Sequence, residues 1–384
     1  MKVLRQIPAA FAPLILLSLA AFSITPAALA QAPYANNLPK RLIGDYGYWS
    51  RNQTPPYSSD QIPFNELTHI NHAGVSFDTT GALVIPEGFY EPQLITKAHA
   101  AGVKVLLLLG GDFPALEKPG VPGVLIANLN TFVKGNGYDG IDLDWEYPES
   151  AADRSAFLAL LEALRQTFPS PEYVLSAYVA PWGGWGYDFA ETQYLVDYFS
   201  ILMYDCAGPW TDDGQLNSPI FTDPRDPEPW ECSPGGSAEQ AADIYLNRYG
   251  IPPSKLNMGT PFYGYFYENV RYLWGHCLNC DNTVLSENYG TFIKQRINKL
   301  GWTSYVDSFA KVPYLLRTDG SPGFITYDDS LSTWKRVTYS VWTRGLGGTF
   351  MWSLDADYDG HSQDLLDAMY AATLSQPASQ SRLP

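Results

Sequence analysis

Eight short apolar runs separated by longer stretches of helical periodicity predict an α/β fold, a closed (β/α)8 barrel of the TIM-barrel class. The runs are Leu42–Tyr48, His69–Phe77, Val103–Leu109, Gly140–Glu146, Val174–Val179, Phe199–Tyr204, Leu256–Phe262 and Gly348–Ser353. Three observations carry the reading. Most of the runs are spaced as one strand plus one helix would be. Val103–Leu109 is apolar except at Lys104, as a strand covered on both faces requires. The chain has 384 residues, 46% of them hydrophobic, enough for the core of one large barrel. A doubly wound open sheet also alternates strands and helices, but it gives no reason for a count of eight.

The chain opens on a targeting pattern. Lys2 and Arg5 precede an apolar stretch from Ala9 to Phe22, and Ala28-Leu29-Ala30 has the small-residue spacing of a cleavage site. This predicts a signal peptide over residues 1–30, a barrel over 31–376 and a secreted, extracellular product. A membrane anchor is the alternative, but the stretch is short for a spanning helix and no later run is long enough. No membrane association is therefore expected after cleavage. Helical periodicity at Gln93–Ala101, Ala152–Phe168, Ala238–Tyr249 and Leu331–Trp342 places helices between strands. The interval from Phe262 to Gly348 is too long for one helix. It holds a Tyr-rich start, a C-x-x-C and short β-like pieces near Val312–Leu316 and Gly323–Tyr327. A small α+β insertion over 263–328, between strands seven and eight, is predicted. The Ser, Gln and Pro residues after Thr373 predict a frayed tail.

Composition narrows the partners. The formal net charge is −16, and losing Lys2 and Arg5 makes the chain two charges more negative. Such a surface repels nucleic acid and anionic lipid. A neutral polymer suits it better, and an aromatic content of 14%, with 26 Tyr and 11 Trp, suits stacking on sugars. A monomer is expected. The four cysteines, in an exported chain, point to disulfides. Three pairings are possible; nearness in sequence favours Cys206–Cys232 and Cys277–Cys280. His276 beside the C-x-x-C suggests zinc, but no second ligand pair lies near it. Neither metal nor cofactor is expected.

The chemistry concentrates in Asp139-Gly140-Ile141-Asp142-Leu143-Asp144-Trp145-Glu146-Tyr147-Pro148. Alternation along a strand puts Asp142, Asp144 and Glu146 on one face and Ile141, Leu143 and Trp145 on the other. A wet acidic face is common on antiparallel sheets, but a parallel barrel strand is covered on both sides. Unpaired acids inside a barrel are costly, and clustered carboxyls cannot all ionise. Glu146 is nearest the C-terminal end of its strand, where barrel active sites lie, and is placed to act as a general acid. The ligand spacing of a calcium loop is missing.

That segment resembles the D-x-x-D-x-D-x-E signature of family 18 glycoside hydrolases, the chitinase family. Asp139, Asp142, Asp144 and Glu146 match it, with Gly140, Trp145 and Tyr147-Pro148 alongside. Leu202-Met203-Tyr204-Asp205 resembles the family's sixth strand, Met258-Gly259-Thr260-Pro261-Phe262-Tyr263-Gly264 its seventh and Phe350-Met351-Trp352-Ser353 its eighth. Val312-Pro313-Tyr314 and Tyr327-Asp328 resemble the end of its insertion. The likeness spans nearly the whole exported chain. Three positions depart from it. Leu108-Leu109-Gly110-Gly111 stands where the family has Ser-x-Gly-Gly, so a polar neighbour expected near Asp142 is absent. Asp112 replaces an aromatic, and Tyr263-Gly264-Tyr265 replaces Tyr-Gly-Arg.

The resemblance implies hydrolysis of β-1,4-linked N-acetylglucosamine polymers, with chitin or its oligosaccharides as partner, by a retaining, substrate-assisted route that departs from the two-carboxylate scheme. It implies that Glu146 protonates the glycosidic oxygen, Asp144 orients the acetamido group, Asp142 shares a proton with Asp144 and Tyr204 bonds the acetamido oxygen. Trp352 would floor the sugar, and Met203, Asp205 and Tyr263 would contact substrate. Tyr46, Tyr48 and Trp182 fit sugar binding and core packing equally, the register of the first strand being open. Two other readings share the fold: an endo-β-N-acetylglucosaminidase acting on N-glycans or peptidoglycan, and a non-catalytic chitin-binding lectin, against which the presence of Glu146 argues.

Overall fold

The computed structural model describes residues 38–227, 232 and 236–375. The expected signal peptide, Trp230 and the tail beyond Ser375 lie outside the described residues. Eight parallel strands form the barrel wall: β1 (Arg41–Gly47), β2 (His69–Phe77), β3 (Lys104–Leu109), β4 (Gly140–Leu143), β5 (Val174–Val179), β6 (Tyr198–Ile201), β7 (Leu256–Pro261) and β8 (Gly348–Trp352). Each pairs with the next, and β8 pairs back onto β1, so the sheet closes. All eight runs read from the sequence are strands, with ends displaced by a few residues at most.

Alternation sorts each strand between two cores. On β3, Leu107 and Leu109 pack outward among the helices, while Leu106 and Leu108 pack inside the barrel with Ile43, Tyr178 and Phe350. Helix α1 (Pro92–Ala100) follows β2, α2 (Val121–Asn136) follows β3 and α3 (Ala151–Thr167) follows β4. In α3, Ser150 and Asp153 form a capping box, and Phe157, Leu160, Leu161 and Leu164 line the buried stripe. The pattern is uneven elsewhere. Only short 3-10 turns, Tyr48–Asn52 and Phe64–Glu66, connect β1 to β2, and the helix after β5 is a single turn, Phe189–Thr192.

Between β7 and β8 the chain builds an antiparallel five-stranded sheet, in the order Val284–Asn288, Tyr263–Tyr267, Phe324–Thr326, Pro313–Arg317 and Trp302–Val306. Both favoured disulfides are present, Cys206–Cys232 and Cys277–Cys280. The first ties the long loop after β6. The same loop is also stitched to the insertion by backbone bonds, Cys277 N–H to Asp212 O (2.8 Å) and Gly214 N–H to Gly275 O (2.8 Å).

Candidate active site

β4 shows why its sequence is so constrained. A Cβ on Gly140 would lie 1.9 Å from the carbonyl oxygen of Val174, so only glycine allows β5 to approach. Asp139, below it, faces outward: its Oδ2 accepts from Val105 N–H (2.7 Å) and lies 2.8 Å from His99 Nε2. That acid anchors β3 and takes no part in the cleft. The ladder ends at Leu143, three residues earlier than the sequence suggests, but side chains keep alternating. Trp145 is buried outward, stacked on Phe113 with ring centres 4.6 Å apart. Such a pair contributes about 0.5–1.5 kcal/mol beyond its buried area. With Trp145 pinned outward, Asp144 and Glu146 must face the cleft.

A cleft of about 390 Å³ opens at the C-terminal end of the barrel. Asp144, Glu146, Tyr178 and Tyr204 line it, with Trp49 and Trp352 on one side and Asp205, Tyr263 and Tyr265 on another. Ser286 and Asn288 extend the wall from the insertion, whose edge strand they occupy. Trp352 and Trp49 sit 6.1 Å apart, tilted by 45°. The Glu146–Tyr147 and Trp352–Ser353 peptide bonds are cis.

Beneath the cleft the acids form a column. Asp142 is fully buried inside the barrel; burial pushes its carboxyl up to about 7, against the opposing effect of Ser176 and Asn71. Asn71 donates to Asp142 Oδ2 at 2.9 Å and so supplies the polar neighbour that Leu108 cannot. Asp144 is pushed well above the usual carboxylate range, first by burial, then by Glu146, Asp142 and Asp45. Asp144 thus faces Glu146 at the mouth of the column and is held toward its protonated form. Glu146 itself is exposed to the cleft. Asp205 is raised by burial, opposed by Tyr263 and Tyr265; both hydroxyls donate to its Oδ1, that of Tyr265 at 2.7 Å. Tyr265 thus fills the place of the absent arginine with a neutral donor. No lysine, arginine or histidine lines the cleft among the described residues.

The model of the glycosyl hydrolases family 18 matches residues 41–357. The chain belongs to that family. It is a chitinase-like glycoside hydrolase. It is 26% identical to "Chitinase 1" of Aphanocladium album over 88% of this chain and 86% of that one. It is 29% identical to a "Probable endochitinase" of Caenorhabditis elegans, over 71% of this chain but 46% of that one, so it spans less than half of the nematode protein. Its fold matches a class V chitinase of Nicotiana tobaccum solved in complex with NAG4, with a TM-score of 0.73 at 20% identity, covering 88% of this chain and 99% of the other.

In this family 18 hydrolase, Glu146, Asp144, Tyr204, Asp205, Tyr263 and Trp352 come together around one cleft, with Asp142 directly below. Three expected substrate contacts do not reach it. Met203 is fully buried on the outward face of its strand, because Tyr204 takes the inward one. Tyr46 is likewise outward and fully buried, its hydroxyl donating to Glu91 Oε2 at 2.6 Å. Trp182 stands behind Tyr147, edge-on at 5.0 Å, and supports that lining residue without lining the cleft. Sequence reasoning missed Asp45, Asn71, Tyr178, Trp49, Tyr147 and Asp355. Alternation alone could have found Asp45, once Ile43 was taken as inward on β1.

Proposed function

We propose that this chain is a secreted chitinase that cleaves β-1,4-linked N-acetylglucosamine polymers by a retaining, substrate-assisted route. The observation that carries the reading is the acid column, which rises from Asp142 through Asp144 to Glu146 at an aromatic cleft. Glu146 protonates the glycosidic oxygen. Asp144 orients the acetamido N–H and balances the cationic ring that forms as the acetamido oxygen attacks the anomeric carbon. Asp142 tunes Asp144 from below, and the Tyr204 hydroxyl donates to the acetamido oxygen. Donors aimed at developing charge in such a site are worth about 3–4 kcal/mol each.

Two further carboxylates, Asp205 and Asp355, line the cleft and could in principle attack the sugar directly. Asp205 is engaged by two tyrosine hydroxyls, and Asp355 accepts from Ser353 Oγ at 2.7 Å. Both are thus engaged by neighbouring hydroxyls, which supports the substrate's own acetamido oxygen as the nucleophile. Export rests on the N-terminal targeting pattern. No described helix is long and apolar enough to cross a membrane.

The deciding experiment compares hydrolysis of N-acetylglucosamine oligomers, deacetylated oligomers, N-glycoproteins and peptidoglycan by the same preparation. Turnover of acetylated oligomers alone is the expected result. Equal cutting of deacetylated oligomers would sink substrate assistance, and preference for N-glycans or peptidoglycan would move the substrate class.

A further inference from the structure

A fourth carboxyl lies in the barrel interior. Asp45 sits on β1, and the alternation that sends Tyr46 outward turns it inward, where it is fully buried. Its Oδ1 accepts from Asn71 Nδ2 at 3.0 Å, and that same nitrogen donates to Asp142 Oδ2 at 2.9 Å and lies 3.3 Å from the Tyr178 hydroxyl. One amide nitrogen on β2 therefore bridges two carboxyls, from β1 and β4.

No cation bonds either carboxyl: Arg41, on Asp45's face of β1 at the barrel floor, is engaged by Asn257 Oδ1 of β7 (2.8 Å) and by Ser254 O (2.6 Å), and His69, buried beside it on β2, is pushed well below its ordinary range by burial and by Arg41. From β4 the groups acting on Asp45 are Asp142 and Asp144; from β5, Tyr178; from β6, Tyr204; from β2, only the neutral Asn71. β3 and β8 present Leu106, Leu108 and Phe350 to this space. His72, next to Asn71 on β2, points the other way, stacked on Phe89 at 4.2 Å. Burial drives the Asp45 carboxyl well above its ordinary range; Tyr178 and Asn71 oppose this and Asp142 adds to it. Two carboxyls enclosed without a cation cannot both be ionised.

We propose that Asp45 and Asp142, held beside each other by the Asn71 amide, carry one proton between them, and that Asp45 is thereby a positioning residue that sets the pH range in which Asp144 and Glu146 work. The column then holds two acid pairs in series, Asp45–Asp142 below and Asp144–Glu146 above. While the lower pair holds its proton, Asp144 meets one negative charge beneath it; once that proton leaves, Asp144 meets two. Asp45 touches no substrate; it acts through Asp142.

Asp45→Asn keeps the shape and removes the ionisable group. Asp144 then loses a like charge that raises it, so the upper pair gives up its proton at lower pH. The alkaline limb of the kcat profile on the N-acetylglucosamine tetramer should move to lower pH by roughly half to one unit, because the second charge can no longer form beneath Asp144, while the acid limb stays in place. KM should change less than about twofold, because no substrate contact is lost. A merely structural role would lower the melting temperature and leave the limbs in place. An unshifted alkaline limb with kcat near the parent value would overturn the proposal.

The rate arm rests on the chitinase reading, so a second measurement stands apart from activity. Carbon-13 titration of aspartate carboxyls in the unliganded parent protein should show two coupled groups, one of them still protonated at neutral pH. Two fully ionised interior carboxylates at that pH would refute the shared proton, even if Asp45→Asn fails to fold. A parent protein inert on every acetylated oligomer but showing the coupled titration would refute the substrate reading and leave the pair standing.

Discussion

Asp142 and Asp328 are both fully enclosed, and they differ in what encloses them. Asp328 follows the insertion strand Phe324–Thr326 and takes both oxygens' bonds from Arg336 Nη2, each at 3.0 Å, with Ser332 Oγ donating at 2.7 Å. Burial raises its carboxyl, and the guanidinium opposes the rise. Asp142 meets only Asn71 and Ser176, with Asp45 and Asp144 for neighbours and no cation. The first arrangement is an ion pair that stays charged and holds two elements together. The second stores protons. Of these two buried acids, the one with a cation holds structure and the one without lies beneath the reacting groups. The variants that separate the two follow in order of expected effect.

Glu146→Gln attacks the top of the unpaired column. It removes the group that delivers the proton but keeps the side-chain shape. Hydrolysis of the N-acetylglucosamine tetramer should fall by about two to four orders of magnitude, while binding, read by calorimetry, persists. A folded variant with near-parental turnover would remove Glu146 from its role.

Arg336→Met attacks the paired acid. It strands Asp328 without its cation, and breaking a buried pair from one side costs about 3–5 kcal/mol. Urea unfolding should show that loss, with the kcat profile of the surviving folded enzyme unmoved along the pH axis. A shifted profile would mean that the two acid systems are coupled after all.

Asp142→Asn tests the proton store through stability. The folded carboxyl is raised to about 7, against about 3.9 in the unfolded chain. The folded state therefore holds the proton more tightly. Its contribution is full below about pH 4 and is lost as the pH climbs toward 7, with an upper bound of about 4 kcal/mol. The parent should lose stability across that window, and the variant should lose less. Parallel stability curves for the two proteins between pH 4 and 7 would contradict the assignment.

The sequence made the barrel legible because its signal is local. Each apolar run and its alternation can be read without knowing what lies beside it, and the acids of β4 stand within one such run. What stayed hidden depends on closure. Asp45 is the one acid of its run and Asn71 stands among His69, His72 and Ser76 in its own, and only the pairing of β1 with β2 and the turn of the ring bring them to Asp142. The helix Val121–Asn136 was not singled out; Pro122, Gly123 and Gly135 interrupt a sequence whose buried residues nonetheless recur at helical spacing. Met203 follows from the resemblance of its motif and Tyr46 fits two readings while the register of β1 is open; alternation sends Met203 away from Tyr204, and sends Tyr46 outward once Ile43 is fixed as inward.

The smallest effect comes from the pair of tyrosines that those faces distinguish. Tyr204 points into the cleft, and Tyr46 points into the outer layer against Glu91. Tyr204→Phe should cost about tenfold or more in kcat, since its hydroxyl is a donor aimed at the reacting group. Tyr46→Phe should leave kcat and KM within about twofold. It removes one buried hydrogen bond and leaves Glu91 with Ser59 N–H (2.9 Å) and Arg51 (3.5 Å), so the loss should be only about 1 kcal/mol of stability. Burial has already pushed the Tyr46 hydroxyl above its ordinary range, with Glu91 adding to the rise, so it stays protonated across the working range and adds no pH dependence. Measured side by side on one oligomer, the two variants read the two faces of the barrel wall. If Tyr46→Phe slowed turnover as much as Tyr204→Phe, β1 would have to present both of its faces to the substrate, which a strand of a closed barrel cannot do.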